Sequence, residues 1–245
     1  MRVFLLRKGE GKEGTYKLTA KERNYLFRVL RLKVNDVFTA KDGEEVFYRA
    51  FLFDEDTITL ERTDSPEETL LDGLSSYTGP FVPLDAFIAV LKGKKNEIQV
   101  RALTEIGVSR IILMESEFTQ SPLSDHQMER LESIIREAVQ QSGGKSPELL
   151  GPVTFQQALQ LAKGRLLILH QSTIERTEKL SEALDGLDTD SHVSIMIGPE
   201  GGFSEKECSL AVSQGATPVL LSTNILRAET AAIYTAAAVQ AILQN

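Results

Sequence analysis

Short apolar segments between turn-forming residues dominate the N-terminal part of the chain. Alternating apolar and polar positions predict four short strands, at residues 2–6, 37–40, 45–53 and 57–60. Asp42-Gly43, between the second and the third of these strands, is typical of a hairpin turn. Thr19 can cap a helix that continues to about Leu30. The pattern therefore predicts a small domain rich in β-structure.

Residues 63–83 separate this region from a second one and are rich in Ser, Thr, Pro, Gly and acidic residues, as linkers are. We expect domains at 1–66 and 74–245. Longer apolar runs then predict strands at 84–91, 110–114, 166–169, 193–197 and 219–221. Helical periodicity predicts helices at 96–106 and 124–141, and others that begin near 154, 204 and 225. Alternating strands and helices are typical of a parallel sheet, so the expected fold class is α/β.

The charge is unevenly distributed along the chain. The 245 residues carry a net charge of −8, with 27 Lys and Arg against 35 Asp and Glu. The first 33 residues reverse the sign, with ten Lys or Arg against three Glu. Because salt screens charges beyond roughly 8–10 Å, a local basic field survives an acidic total. Charge alone therefore leaves two interpretations open, a nucleic-acid-binding surface and an ordinary solvated face.

Composition predicts a cytoplasmic protein without a membrane segment. No apolar run approaches the roughly 20 residues that span a bilayer. Residues 1–14 lack the apolar core and the cleavage site of a signal peptide. The one cysteine, Cys208, cannot form an internal disulfide, and we expect it in the core or at an interface. The three histidines have no metal-ligand spacing, so we expect no metal site.

Two segments near the C-terminus combine features of a ligand site. The predicted strand 193–197 ends in Gly198–Phe203, after which Ser204 and Glu207 form a capping box for a helix. The strand at 219–221 ends in a polar loop that leads into the alanine-rich segment 225–238. Glycines let a backbone approach a ligand closely, and open α/β sheets bind ligands at the carboxyl ends of their strands. The alternative is two tight turns and a well-packed terminal helix.

Together, the motifs G-P-E-G-G-F-S and L-S-x-x-I-L-R-x-E-T-A resemble the SPOUT class of S-adenosylmethionine-dependent RNA methyltransferases. Within that class the chain is similar to the family of ribosomal RNA small subunit methyltransferase E, the 16S rRNA uracil-N3 methyltransferases. The likeness covers nearly the whole chain and includes residues 29–34, 104–108 and 137–143. Three places depart from the family's usual pattern, namely Asn24-Tyr25, Gly144-Lys145 and Ser222–Asn224.

The resemblance implies a small N-terminal PUA-like β-barrel and a SPOUT-type parallel sheet with a C-terminal trefoil knot. It implies a homodimer that acts on 16S rRNA of the small ribosomal subunit, with no membrane and no metal. S-adenosyl-L-methionine would be the cofactor. The residues expected to bind it are Leu169, His170, Gly198, Pro199, Glu200, Gly201, Leu221, Asn224, Ile225 and Leu226.

The resemblance also suggests roles for charged residues. Arg227 is the expected catalytic cation, which would stabilise negative charge on the uracil, and an interface salt bridge is its alternative role. Glu229 fits the helix dipole or a pair with Arg227 better than it fits a general base. The residues expected to bind RNA are Arg28, Arg31, Lys33, Lys92 and Arg101.

Three other functions remain open from the sequence. The departures at Asn24-Tyr25 and Gly144-Lys145 are compatible with a non-catalytic RNA-binding or ribosome-assembly protein of the same fold. A SPOUT methyltransferase could also act on another rRNA or tRNA nucleotide. A nucleotide-binding metabolic enzyme with a Rossmann-like sheet is the third. The intact loops at 198–203 and 225–231 favour catalysis of methyl transfer over all three.

Overall fold

The structure is a computed structural model that describes residues 3–7, 9–42, 46–63, 79–120, 122–170 and 177–244. Its contacts divide the chain into two compact units. Unit 1 comprises residues 1–78 and 136–145, and unit 2 comprises residues 79–135 and 146–245. The predicted hairpin turn at Gly43 and most of the predicted linker, 64–78, lie outside the described residues.

Unit 1 is built on a five-stranded sheet in the order β1-β3-β4-β5-β2. The β1 and β3 strands pair in parallel, and the other neighbours pair antiparallel. A short helix, α1, continues directly into a π-helical turn at Tyr25–Val29. The bounds are β1 Phe4–Leu5, β2 Gly14–Lys17, α1 Ala20–Asn24, β3 Val37–Lys41, β4 Phe47–Leu52 and β5 Thr57–Thr63.

The helix of unit 1 begins where the sequence predicts. Thr19 accepts a hydrogen bond from the Glu22 N–H and the Glu22 carboxylate accepts one from the Thr19 N–H, which completes a capping box. Glu22 also accepts a 2.6 Å hydrogen bond from the Tyr16 hydroxyl. Burial and this hydrogen bond raise the pKa of Tyr16 well above its usual value. Leu26 follows at 0% exposure and packs the helix against the sheet.

Unit 2 is built on a six-stranded, fully parallel sheet in the order β11-β9-β10-β6-β7-β8. Its strands are β6 Leu84–Ala89, β7 Arg110–Glu115, β8 Glu148–Thr154, β9 Arg165–Leu169, β10 Val193–Ile197 and β11 Thr217–Val219. Its helices are α2 Lys95–Ile106, α3 Asp125–Ser142 (its last turns belong to unit 1), α4 Phe155–Leu161, α5 Leu180–Ala183, α6 Glu205–Ser213 and α7 Ala228–Leu243.

Helices cover the central strands of this sheet, which explains their continuous apolar sequences. All six residues of β6 and all five of β10 are buried. Side chains from α4 and α6 pack with Phe87 and Met196 in one core cluster. Helix α7 packs against α2, β6 and β10, and Gln240 hydrogen-bonds both the N–H and the C=O of Val82. The expected α/β fold with a parallel sheet is confirmed.

Two boundaries differ from the sequence-based prediction near the C-terminus. The edge strand β11 is Thr217–Val219, so the strand predicted at 219–221 exists but begins and ends two residues earlier, because the chain leaves the sheet after Val219. Helix α7 begins at Ala228, and Arg227 is its N-cap residue with an extended backbone. Residues 220–227 therefore form one continuous loop at the carboxyl end of β11. Strands β2 and β8 were not predicted.

A buried carboxylate joins three strands at the amino edge of this sheet. Asp85 in β6 is 0% exposed and accepts hydrogen bonds from Arg110 in β7 and from His192, which precedes β10. The distance from His192 Nε2 to Asp85 Oδ2 is 2.6 Å. Arg110 also donates to the carbonyl of Leu161 at the end of α4. A buried charge is tolerated when it is paired in this way.

Candidate functional site

A cavity of about 750 Å³ opens at the carboxyl ends of β9, β10 and β11. Such a volume falls in the range typical of small-molecule sites. Its walls come from the last residues of these three strands and from the two loops that follow β10 and β11. The lining residues are Leu169, His170, Ile197, Gly198, Pro199, Glu200, Gly201, Gly202, Phe203, Val219, Leu220, Leu221, Thr223, Asn224, Ile225, Leu226, Arg227, Ala228 and Ala231.

All ten residues expected to bind a cofactor, and Arg227 as well, line this one cavity. They are separated by up to 58 positions in the sequence, from Leu169 to Arg227. The parallel order of β9, β10 and β11 brings them together, because the carboxyl ends of parallel strands meet at one sheet edge.

The loop after β10, residues 198–203, is tightly folded. The Gly202 N–H donates a 2.8 Å hydrogen bond to the Pro199 carbonyl. A Cβ on Gly198 would lie 2.9 Å from the Gly202 carbonyl carbon, so only glycine fits there without rearrangement. Phe203 closes the loop with 4% exposure and packs its ring 5.4 Å from that of Phe155.

Glu200 makes an ion pair away from the loop. Its Oε1 lies 2.6 Å from Nζ of Lys95, the first residue of α2. Burial raises the pKa of Glu200, but hydrogen bonds from Lys95 and from backbone N–H groups outweigh this effect, so the pKa lies below its usual value. Glu200 lines the cavity as expected, while its carboxylate is committed to Lys95.

The loop after β11 places a cation at the cavity. Arg227 lines the cavity, its side chain is exposed, and it forms no ion pair with any residue that the structure describes. The salt bridge with Glu229 that the sequence suggested is therefore not observed within this part of the chain. Glu229 is 8% exposed, in the first turn of α7, and its Oε2 has no hydrogen-bond partner in the described segments.

The five residues expected to bind RNA are divided between the two units. Arg28, Arg31 and Lys33 lie in unit 1 and are exposed. Arg31 adopts a left-handed backbone with φ of 57°, two residues after the end of the π-helical turn. Lys92 and Arg101 lie in unit 2, at the carboxyl end of β6 and in α2, and Lys92 is exposed.

Sequence reasoning missed two residues that contact the first loop. Phe118, in the loop after β7, lies against Gly201, where an added Cβ would be 3.2 Å from the Cβ of Phe118. Lys95 is the other, through Glu200. Both are distant from the loop in sequence, and no motif marks them. The only feature of the sequence that points to a close contact at this place is the glycine at position 201.

Two further features are absent from the described residues. None of their helices has the length and apolar character needed to cross a bilayer. No group of three or more His, Cys, Asp or Glu side chains among them is arranged to hold a metal ion.

Known proteins share both units. Residues 79–240 match the RNA methyltransferase domain, and residues 18–61 match the RNA methyltransferase PUA domain. The PUA character expected for the N-terminal domain is thereby confirmed.

Relatives match along most of their length. Ribosomal RNA small subunit methyltransferase E of Synechocystis is 32% identical over 95% of this chain and 75% of its own. The enzyme of that name from Rickettsia conorii is 31% identical over 86% of this chain and 82% of its own. A Legionella pneumophila methyltransferase, solved in complex with SAM, superposes with a TM-score of 0.77 and 26% identity, covering 98% of this chain and 96% of that one. The resemblance expected from the two C-terminal motifs is confirmed: this chain belongs to the RNA methyltransferase family.

Proposed function

We propose that this enzyme transfers a methyl group from S-adenosyl-L-methionine to N3 of a uracil in 16S rRNA of the small ribosomal subunit. One observation carries the proposal: a single cavity gathers both motif loops, 198–203 and 220–227, with Arg227 at its lining. The relatives named ribosomal RNA small subunit methyltransferase E and the SAM-bound Legionella structure support the substrate and the cofactor.

The cavity fits the chemical nature of this cofactor. Its apolar residues, Leu169, Ile197, Val219 and Leu226 among them, provide walls for an adenine ring. Glycines at 198, 201 and 202 leave backbone groups of the first loop accessible at close range. The ten residues named from the sequence are the proposed binding set. When bound, S-adenosylmethionine supplies an electrophilic methyl group on a sulfonium.

Arg227 supplies the electrostatic part of the proposed mechanism. Uracil N3 is a poor nucleophile while it holds its proton, and loss of that proton places negative charge on the flanking carbonyl oxygens. A fixed cation beside those oxygens stabilises the transition state more than the ground state. A guanidinium has five N–H donors and no acceptor, so Arg227 orients and stabilises but does not act as the general base.

The basic residues of unit 1 are the proposed contacts to the RNA backbone. Arg28, Arg31 and Lys33 are exposed, and phosphate contacts position an RNA without reading its sequence. Lys92 and Arg101 are the corresponding candidates of unit 2. We place the PUA-like domain at 1–66 and the SPOUT domain at 74–245, and the enzyme in the cytoplasm with its ribosomal substrate.

A trefoil knot and a homodimer complete the proposal. The chain runs from α6 on one face of the sheet through the edge strand β11 to α7, which packs with α2 on β6 and β10. The knot that the family resemblance implies would be formed by the two loops and α7. Ile225, Tyr234 and Ile242 are 85%, 46% and 41% exposed on the last loop and α7, as a face covered by a second copy would be.

Two measurements test the function. Calorimetry with S-adenosylmethionine should show binding to one site per chain, whereas a non-catalytic RNA-binding protein would show no heat. Primer extension on 16S rRNA should stop at one uracil in wild-type cells and read through in a deletion strain, because a methyl group at N3 blocks the pairing edge. A stop that persists in the deletion strain would refute the proposed substrate.

A further inference from the structure

Glu200 carries the only polar side chain of the loop at 198–203. The loop is fixed at its ends, because Ile197 in β10 and Phe203 are each 4% exposed. Between them lie Pro199, Glu200 and three glycines, and Gly202 has a left-handed φ of 74°. Glycine-rich backbone loses more conformational entropy on ordering than any other. A contact with another element of the fold therefore helps such a tip to populate one conformation.

Glu200 makes that contact with a rigid partner. Lys95 begins α2, and the next residue, Asn96, is 3% exposed. The Asn96 side chain accepts a 2.9 Å hydrogen bond from the Leu91 N–H and donates a 2.7 Å hydrogen bond to the Leu91 carbonyl. The start of α2 is therefore fixed to the segment that follows β6, so the Lys95–Glu200 ion pair joins the glycine-rich tip to a fixed point.

We propose that Lys95 is a positioning residue, which sets the conformation of loop 198–203 through Glu200 before any ligand enters the cavity. The inference rests on the proposed function only in taking this loop as a wall of the cofactor site. Lys95 does not line the cavity, and its effect on a ligand is indirect. The apparent Kd equals the intrinsic Kd divided by the fraction of chains whose loop is in the binding conformation, so a smaller fraction means weaker binding.

Hydrogen exchange in the ligand-free protein tests the positioning directly. The Gly202 N–H is protected by its hydrogen bond to Pro199, so its exchange rate reports opening of the loop. Lys95→Met and Glu200→Gln should each accelerate this exchange by about two- to fivefold, the range of a partly exposed ion pair. The charge-swapped double variant, Lys95→Glu with Glu200→Lys, should return the rate toward that of the wild type.

Lys94→Met is the matched control. Lys94 is exposed and adjacent to Lys95, and its side chain forms no ion pair with any residue in the described ranges. The control removes the same charge, so it should leave exchange at Gly202 unchanged. Equal acceleration by Lys94→Met and Lys95→Met would show a general charge effect and overturn the proposal.

Calorimetry with S-adenosylmethionine provides the second readout. Lys95→Met should raise the Kd by the factor by which the fraction of chains with the loop in the binding conformation falls, and Lys94→Met should leave the Kd unchanged. An ion pair without a positioning role would leave both the Kd and the exchange rate at Gly202 unaffected, which would refute the proposal. If the wild type binds no S-adenosylmethionine, the proposed cofactor is wrong, and the exchange rates of the variants still decide the role of Lys95.

Discussion

At the residue scale, Arg227 bears most directly on the mechanism. It lines the cavity with an exposed side chain and has no ion-pair partner in the described parts of the chain. Arg227→Ala should lower kcat by about 10²–10³-fold, as loss of one oxyanion donor does. Lysine should restore only part of the rate, because it lacks the planar fork of donors. Single-turnover methylation measures both effects.

The pH dependence separates this role from a structural one. If Arg227 stabilises the uracil anion, the defect of Arg227→Ala should shrink as pH rises, since hydroxide then supplies the anion. A lost interface contact would reduce activity equally at every pH and weaken self-association. A variant with an unchanged oligomeric state and a near-wild-type rate at every pH would remove Arg227 from the mechanism.

Gly201 offers a second test at this scale. Gly201→Val should abolish S-adenosylmethionine binding in calorimetry while the protein stays folded, because the added bulk lies at the wall of the cavity. The same side chain would also press on Phe118. Adding Phe118→Ala removes that contact, so binding should remain absent in the double variant if ligand approach is the cause. Recovered binding would assign the loss to the clash with Phe118.

At the scale of elements, the amino edge of the sheet in unit 2 depends on one carboxylate. Asp85 connects β6 with Arg110 of β7 and with His192. Asp85→Asn removes the buried charge and leaves Arg110, whose side chain is 13% exposed, without its ion-pair partner, which should cost about 3 kcal/mol of unfolding free energy. Urea denaturation measures this loss. Asp190→Asn, at an exposed aspartate, is the control and should change stability by less than about 0.5 kcal/mol.

The elements that could be predicted are those whose patterns are strong. Helix α2 has its apolar spacing and ends at Gly107, which adopts a left-handed φ of 88° as a C-cap glycine should. The capping box of Ser204 and Glu207 opens α6 as predicted. These signals are local, so the sequence alone contains them.

The elements that were missed lack a local pattern. In β2 only Tyr16 is buried, and one inward side chain in four residues gives no alternation. Strand β8 lies at the sheet edge and has no fully buried residue. It also contains Gly151-Pro152, and a proline in a sequence segment argues against a central strand, although an edge strand tolerates it. The register shift between Ile112 and Met114 accommodates that pair. Likewise, the approach of Lys95 and Phe118 to the loop at 198–203 depends on strand order, which periodicity does not encode.

At the scale of the whole molecule, the charge asymmetry predicts a salt-dependent RNA affinity. Replacing Arg31 and Lys33 by alanine should weaken RNA binding and reduce the magnitude of the slope of log K against log salt by about 1–2. The reason is that binding releases fewer counterions when fewer phosphates are contacted. The affinity for S-adenosylmethionine should stay constant, since both residues belong to unit 1.

The control for this experiment is Lys163→Ala, in the segment between α4 and β9 at the amino edge of the sheet. It removes one positive charge from the edge opposite the cavity and should leave the salt slope unchanged. Equal slopes for the double variant and the wild type would show that Arg31 and Lys33 belong to an ordinary solvated surface and do not contact RNA.

The origin of the cavity walls has a consequence for how this protein is made. Every lining residue lies between positions 169 and 231, and the loop at 220–227 with the start of α7 supplies nearly half of them. Strands β6 to β10 precede this segment and can pair as soon as they leave the ribosome. The cavity therefore closes only after residues 220–231 have been synthesised. A nascent chain acquires most of its sheet before its ligand-binding capacity, so a product that stops short of residue 220 is inert rather than partly active.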